Sequence, residues 1–488
     1  MKVLKFGGSS VADADRIRKV GAIVRRAWSD GPVVVVVSAL AGVTDELVGL
    51  ADLATAAADT GDRVRRLEER HRRTLDELAP EDRGARDILD RTFAELARLV
   101  TGVAYIGDCP PAVRDRILAT GERLSAPLVA ACLRASGVAA EAVDGTEVIR
   151  TDSAFGGAAV DLEATREHAA PRLGAPDPHR VPVVTGFIGA DPRGATTTLG
   201  RGGSDLSATV LGAALDAEAV EIWTDVNGIF TAPPRVVAGA RPQPRVSYDE
   251  AAELARFGAA VLFTHTVAPV RERGIPVLVR NTFDPEGPAT LVDAGPEVPR
   301  GARSLASVER AAAFTVRPAE PGGQAAPGVA AVAPRCLVAC LAAASGAWTV
   351  VTAEADAAAV AAELEASGLV VERLGEASVV AVVGSSLLHQ PWVAGRALEA
   401  LGRRDLPLRA VVSPSEHSVC LVVDRADHAR ALAILHEALM LAHLAGRAAD
   451  AARRDAALKG EGHAEPPHPG RRDRRHRDGR SAARPPAA

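Results

Sequence analysis

Aromatic side chains are scarce: the 488 residues include nine Phe, four Trp and two Tyr, with only two Met. That scarcity, beside an abundance of Ala, Gly and Arg, reads as a compositional bias of the source rather than a functional signal. Cysteine is rare too. Cys109, Cys132, Cys336, Cys340 and Cys420 are odd in number and scattered, which excludes a disulfide framework. Cys336 and Cys340, close together in an apolar segment, read as buried core residues. No apolar run reaches about 18 residues, so no membrane partner is expected. The chain opens on strand-like Val3-Leu4-Lys5-Phe6 with no signal-peptide pattern, and a reduced, cytoplasmic location is the expectation. An excess of basic charge is also missing from the body. The formal net charge is −5, and residues 451–488 hold 10 Lys/Arg and 5 Asp/Glu, leaving 47 basic against 57 acidic residues in 1–450. An acidic body excludes nucleic acid as the main partner.

What remains is a soluble globular composition, 47% apolar and 24% charged. The length predicts about two to four domains, each with an adequate core.

The most informative stretch is Thr196-Thr-Thr-Leu-Gly-Arg-Gly-Gly-Ser-Asp-Leu-Ser-Ala208. Three threonines and three glycines around Arg201 lead into an apolar helical pattern. The stretch follows Val181–Ile188, which reads as one buried strand. A strand, a glycine-rich turn and a helix start direct backbone N–H groups and a helix dipole at one place, which suits an anion. Asp205 adds a carboxylate and Arg201 a fixed cation. The plainer alternative is a tight turn capped by Ser204. The spacing matches neither the P-loop nor the dinucleotide-binding glycine pattern.

Elsewhere strands alternate with helices, which predicts an α/β fold with a doubly wound, mainly parallel sheet. Lys5 stands at the end of the first strand, before Gly7-Gly8 and a helix opening near Val11. Ligands bind at the carboxyl ends of such strands, so Lys5 is placed either to neutralise phosphate or to snorkel from an edge. Val33–Val37 is a β-branched run of the kind covered on both faces. It ends in Ser38-Ala-Leu-Ala-Gly-Val-Thr44, with an N-cap before a helix. Residues 45–100 read as two or three charged amphipathic helices. Glu122 follows Gly121 within an apolar helix, as a surface glutamate or as an inward carboxylate for a substrate ammonium. Ala219–Val226 is a strand ending in Thr224-Asp225. After a Pro- and Gly-rich shift over 284–304, residues 305–445 parse as two successive βαββαβ-like units, with a helix at Pro334–Ala342, separate strands at Val370–Leu374 and Ser378–Gly384, and a last helix at Asp427–Leu444. Residues 451–488 cannot bury enough apolar area to order, and the tail histidines His463, His468 and His476 are not read as a metal site.

Lys5-Phe-Gly-Gly-Ser-Ser-Val11, Ser38–Thr44, Gly121-Glu122, Thr196–Ala208 and Glu221-Ile-Trp-Thr-Asp-Val226 have the order and spacing of aspartate kinases, which the chain resembles from residue 1 to about 293. The resemblance implies a three-layer α/β/α amino-acid-kinase domain over 1–293, with a helical insertion at about 45–100. It further implies ferredoxin-like ACT units at 304–376 (divergent) and 377–446, followed by the tail. It implies transfer of the ATP γ-phosphoryl group to the side-chain carboxylate of L-aspartate, giving 4-phospho-L-aspartate, a first step toward lysine, threonine and methionine. By the same resemblance Lys5 and Asp205 are catalytic. Ser38, Thr44, Glu122, Arg201, Gly202, Gly203 and Ser204 contact aspartate. Lys5, Gly7, Gly8, Thr224, Asp225, Phe230 and Arg235 contact ATP. Mg²⁺ rides on the phosphates with few protein ligands, an amino-acid effector is expected at the ACT units, and the chain is expected to form a homodimer or higher homo-oligomer.

Departures cluster on the ATP side. The family's Gly-Ala-Lys-Val-Leu-His-Pro appears as Gly258–Thr264, with Ala260 for the lysine. Thr-Asp-Pro-Arg appears as Ala232-Pro-Pro-Arg235, with Pro233 for the acid. Phe230 lacks the usual tyrosine hydroxyl. Losing one charged contact costs about 1.5–3 kcal/mol, enough to weaken ATP binding about tenfold or more without necessarily abolishing chemistry. The first ACT unit has Pro318–Gly328 in place of a compact effector loop, and the second reads Ser413-Pro-Ser-Glu-His417 at its turn, so feedback inhibition is expected to be altered or lost. Two other readings stand beside the kinase: a weakly active or regulatory pseudo-kinase subunit, and an amino-acid kinase acting on another carboxylate.

Overall fold

The centre of the N-terminal sheet grows from β-branched runs, of which Val33–Val37 is the purest. The computed structural model describes residues 1–174, 180–258, 264–295, 301–320, 323–342 and 347–441. In chain order β1 (Lys2–Phe6), α1 (Ala14–Asp30) and β2 (Val33–Val37) are followed by four helices, α2 (Val43–Thr55), α3 (Gly61–Leu78), α4 (Arg83–Ile106) and α5 (Pro111–Ala135). Next come β3 (Ala140–Val143), α6 (Gly145–Val148), α7 (Leu162–Ala169), β4 (Val181–Thr185), β5 (Ile188–Ala190) and β6 (Thr196–Thr198). Then follow α8 (Gly203–Ala214), β7 (Ala219–Thr224), β8 (Arg245–Ser247), α9 (Tyr248–Arg256), α10 (Ala268–Arg273), β9 (Val277–Asn281) and β10 (Thr290–Asp293). Eight of these strands form one sheet in the order β3-β4-β2-β1-β7-β9-β10-β8, parallel except where β10 meets β9. Alternate residues feed opposite faces. Leu4, Phe6, Val33, Val35 and Val37 pack under α1–α5, whereas Val3, Val34 and Val36 pack with Ala208 and Leu211 of α8. This is a three-layer α/β/α sandwich, and the all-buried Val33–Val37 run is what a strand covered on both sides requires.

The remaining elements are β11 (Gly301–Pro318), α11 (Ala326–Val332), β12 (Cys336–Ala342), β13 (Ala347–Ala353), α12 (Ala357–Ala366), β14 (Leu369–Ser385), α13 (Pro391–Gly402), β15 (Ala410–Ser415), β16 (Ser418–Asp424) and α14 (His428–Leu435). They build one antiparallel sheet, β12-β13-β11-β14-β16-β15, carrying two ferredoxin-like βαββαβ units. The units share the long strands. Residues 311–318 of β11 pair with 369–377 of β14, and 301–308 pair with 379–385. The second unit therefore takes its first strand from ahead of the whole first unit.

Several local expectations are corrected. Residues 336–342 form β12 rather than a helix: their Ala- and Leu-rich composition favours a helix, but pairing with β13 (Cys340 opposite Thr349) decides the outcome. The two strands at 370–374 and 378–384 are one, because β11 supplies a continuous partner. The strand expected at 181–188 breaks after Thr185, where Phe187 takes φ +69°. The helix after β1 begins at Ala14, capped by Asp13, whose carboxylate accepts from Arg16 N–H. Thr44 does not cap α2; Gly42 at φ +79° does, and Thr44 lies in the first turn. The last helix keeps α geometry only to Leu435 and continues as a π-type turn over His436–Leu441. The short element expected at 259–263, the departure at Ala260 and the tail 451–488 lie outside the described residues. Among the described residues no helix is long and apolar enough to cross a membrane. The five cysteines are free thiols.

Helices α3 and α4 share the core under one face of the N-terminal sheet, with Leu67, Leu75, Leu89 and Phe93 in one cluster with Leu4 and Phe6. His71 of α3 is fully buried, edge-on to Phe93 of α4 at 5.7 Å between ring centroids, and its Nδ1–H donates to the Leu67 carbonyl at 2.7 Å. Burial pushes the imidazole down to about 4, from 6.5, so it is neutral in the fold. A lowered folded value means that this stability is present above about 6.5 and is lost as the pH falls toward 4, up to about 3 kcal/mol. Urea unfolding followed by circular dichroism should show the midpoint falling across that acid window, and His71→Leu should flatten the slope.

Candidate active site

The carboxyl ends of β4, β2, β1 and β7 lie side by side, since Phe6 registers with Val37 and Trp223, and Val37 with Thr185. Their loops therefore share one edge. Gly7 N–H donates to the Trp223 carbonyl at 3.2 Å and Ser38 N–H to the Phe6 carbonyl at 3.1 Å, which ties three loops together. Gly8 is needed for this approach: a Cβ there would lie 2.9 Å from the Ala39 carbonyl oxygen.

Lys5 turns into this edge. Its Nζ is 2.5 Å from Oδ1 of Asp205, in the first turn of α8, with both side chains about nine-tenths buried. Glu122 approaches from α5. Gly121 allows it, because a Cβ there would fall 2.7 Å from the Ala39 Cβ. Glu122 Oε1 accepts the Ala39 N–H at 3.0 Å, and Oε2 is buried without a partner. Burial pushes this carboxyl up to about 8, against the opposing pull of the Ala39 N–H and the Lys5 charge. The inward reading of Glu122 is the one the fold adopts.

The glycine loop is held by residues far away in sequence. Gly200 (φ +73°) and Gly202 (φ +68°) adopt left-handed backbone, and Gly202 caps α8. A Cβ on Gly203 would meet the Phe187 ring at 2.7 Å, and one on Gly186 would meet Ser204 at 2.8 Å, so the turn after β4 packs directly on the start of α8. Ser204 does not act as the cap; it is buried in the helix behind Gly202. Thr196–Thr198 is a strand, β6, paired with β5. Arg201 is exposed, as Ser38 and Thr44 are not: both are half-buried.

Asp115 is a residue that sequence reasoning missed. From α5 its carboxylate accepts from Thr198 N–H at 2.7 Å, Thr198 Oγ at 3.0 Å and Gly156 N–H at 3.0 Å. It pins the strand leading into Gly200. Its partners lie 41 and 83 residues downstream, so no local pattern marks it. Asp115→Asn keeps the volume but turns one accepting oxygen into a donor facing N–H groups. It is expected to lower thermal stability by about 1–3 kcal/mol, read by calorimetry.

A second cluster lies beside the first. Thr224, Asp225, Phe230 and Arg235 line a cleft of about 330 Å³, with Ile229, Pro233, Pro234 and Leu254. Thr224 Oγ donates to Asp225 Oδ1 at 3.2 Å. The far wall is Leu305, Ala306 and Ser307 of β11, which sequence reasoning did not connect to this site. Thus Lys5, Gly7, Gly8, Glu122, Ser204 and Asp205 converge at the strand ends, and Thr224, Asp225, Phe230 and Arg235 form the adjoining cleft. An ion pair and a buried carboxyl beside a largely apolar cleft can hold a charged small molecule next to a planar one.

The amino acid kinase family model matches residues 1–281, and an ACT domain model matches residues 380–439. Aspartokinase 1, chloroplastic, of Arabidopsis thaliana is 38% identical over 299 residues, covering 59% of this chain and 51% of that protein. Lysine-sensitive aspartokinase 3 of Escherichia coli is 39% identical over 311 residues, covering 62% of this chain and 66% of that protein. The chain thus spans about half to two thirds of the length of these relatives. The crystal structure of E. coli aspartokinase III in complex with aspartate and ADP (R-state) superposes with a TM-score of 0.77 at 31% identity, covering 90% of this chain and 99% of that one. The same enzyme in complex with lysine and aspartate (T-state) gives 0.72.

Proposed function

This chain belongs to the amino acid kinase family, among the aspartokinases, and on that footing we propose that it transfers the γ-phosphoryl group of ATP to the side-chain carboxylate of L-aspartate. The observation that carries the reading is the Lys5–Asp205 ion pair, set between the buried carboxyl of Glu122 and the Thr224–Arg235 cleft. Bringing a carboxylate to a triphosphate joins two anions, so catalysis rests on positioning and charge neutralisation.

In this reading the apolar cleft takes the adenine, with Phe230 against it and Asp225 and Arg235 at its polar positions. Gly7 and Gly8 leave room for phosphate oxygens, and Lys5 neutralises the group in transit while Asp205 holds the lysine in place. Glu122 receives the substrate ammonium, ionising as it does so. Arg201 closes on a substrate carboxylate through its planar fork. Ser38, Thr44 and the Gly202-Gly203-Ser204 turn supply the remaining contacts. A carboxylate oxygen of aspartate attacks the γ-phosphorus, the bond to the bridging oxygen breaks, and ADP leaves with the electron pair. Mg²⁺ on the phosphates needs few protein ligands, and Asp225 is the carboxylate in the cleft wall that fits beside it; when bound, the ion shields the phosphate charge. The E. coli structures with aspartate, ADP and lysine support the substrates and an amino-acid effector, and a seat for that effector at the ACT sheet is part of the proposal. A homo-oligomer, a cytoplasmic location and a place at the head of lysine, threonine and methionine synthesis belong to the same proposal.

The test is hydroxamate formation from ATP, Mg²⁺, hydroxylamine and a panel of amino acids. Aspartate-dependent product supports the reading. Product from another carboxylate only, or none with any substrate, overturns it. Weak turnover with weak ATP binding would instead place the deficit at Phe230 and Pro233.

A further inference from the structure

The nucleotide cleft of the preceding reading is not walled by the N-terminal sandwich alone. Leu305 N–H of β11 donates to the Thr231 carbonyl at 2.8 Å, which stitches the segment carrying Phe230 and Pro233 to the C-terminal sheet. Two histidines reach the same wall from behind. His428 Nε2 lies 3.0 Å from Ser307 Oγ, and Ser307 lines the cleft. His436 Nε2 lies 2.9 Å from Thr231 Oγ, and Thr231 stands between the cleft residues Phe230 and Ala232.

His428 opens α14 and His436 follows its last residue, so one short stretch of chain supplies both rings. They are 6% and 3% exposed. Burial holds both imidazoles below their ordinary value, so each meets its hydroxyl as a neutral ring. Backbone packs close on both hydroxyl–histidine pairs. A Cβ on Gly258 would lie 2.9 Å from the Ser307 carbonyl, and one on Gly239 would lie 3.6 Å from His436 Cε1. Neither histidine has a part in the phosphoryl-transfer chemistry, yet the Nε2 of each meets a hydroxyl of the cleft wall or of the segment beside it.

We propose that His428 and His436 are positioning residues for the nucleotide cleft: through Ser307 and Thr231 they fix the wall against which the nucleotide lies, so that α14 of the C-terminal sheet sets ATP affinity. The inference rests on the assignment of the Thr224–Arg235 cleft to ATP. It makes nucleotide binding, and not aspartate binding, the property that depends on α14.

The experiment measures ATP binding by calorimetry and KM for both substrates in the full chain. His428→Ala and His436→Ala should each raise Kd and KM for ATP by roughly three- to tenfold, the effect of one hydrogen bond and its loosened neighbours, while KM for aspartate moves less than about twofold. The Gln variants, which can place a polar nitrogen or oxygen near Nε2, should recover most of the loss. Ser307→Ala added to His428→Ala should cost no more than either alone, because both remove the same bond. Unchanged ATP affinity in the alanine variants, with wild-type binding intact, would overturn the inference alone. Parallel changes in both KM values without rescue by Gln would mark a merely structural role and also overturn it. Failure of the wild type to bind ATP would overturn the cleft assignment and the inference together. Thermal melts of the Gln variants keep the test valid where an alanine variant folds poorly.

Discussion

Lys5→Met is expected to lower kcat for aspartate phosphorylation by about 10²–10³-fold, the usual cost of removing one preorganised charge that meets the developing transition state. The same change strands the Asp205 carboxylate, whose side chain is 9% exposed. Breaking a buried pair by removing one partner costs about 3–5 kcal/mol, so a loss of activity alone would be ambiguous. The double variant Lys5→Met/Asp205→Asn separates the two effects. It removes the orphaned charge and should melt well above the single variant, yet it should recover none of the activity. Steady-state kinetics and melting curves on the three proteins check this. A double variant that regained activity with its stability would show that the lysine serves the fold and not the transfer.

Glu122→Gln is expected to raise KM for aspartate by about 10–100-fold, the worth of a hydrogen-bonded charge facing the substrate ammonium, with ATP affinity left intact. The wild type should carry a matching pH dependence. Because burial holds the carboxyl up to about 8, it is protonated at neutral pH and must release that proton to pair with an ammonium. KM for aspartate should therefore fall as the pH is raised toward about 8, by up to about tenfold per unit, and then level off; the Gln variant should lack this slope. Stability moves the other way. A carboxyl whose folded value lies above its unfolded value of 4.5 favours the fold below that value, and the benefit is lost as the pH rises through about 8. Glu122→Gln should thus melt higher than the wild type in alkaline buffer, where the wild type carries a buried carboxylate with an unpartnered Oε2.

Local chemistry made some of this readable. The five valines of β2 are typical of a strand covered on both faces, and the glycines around Arg201 read as a turn at a helix start, as both are in the fold. Lys5 and Asp205 were legible as candidates because each sits at an element end. Asp115 was not: an isolated aspartate in a helix has no signature until β6 and the Gly156 turn are folded against it. Cys336–Ala342 was misread for a related reason, since a short Ala- and Leu-rich run suits either element and only the β13 partner chooses. Residues 305–307 lie some 70–80 positions beyond the Phe230 segment they face, and their composition says nothing of a ligand.

The sequence by itself determined the elements that depend on neighbours within a few residues: the central strands, the amphipathic insertion helices, the left-handed turns, and the residue types collected at strand ends. The tertiary structure alone decided which of those residues meet. It turned Glu122 inward and raised its carboxyl by burial, paired Lys5 with Asp205, threaded the second βαββαβ unit through both ends of the first, and closed the Thr224–Arg235 cleft with residues 305–307 of β11. The physical reason is common to all four. Burial, ion pairing and strand pairing are set by distances between groups remote along the chain, and such distances exist only once the chain has folded.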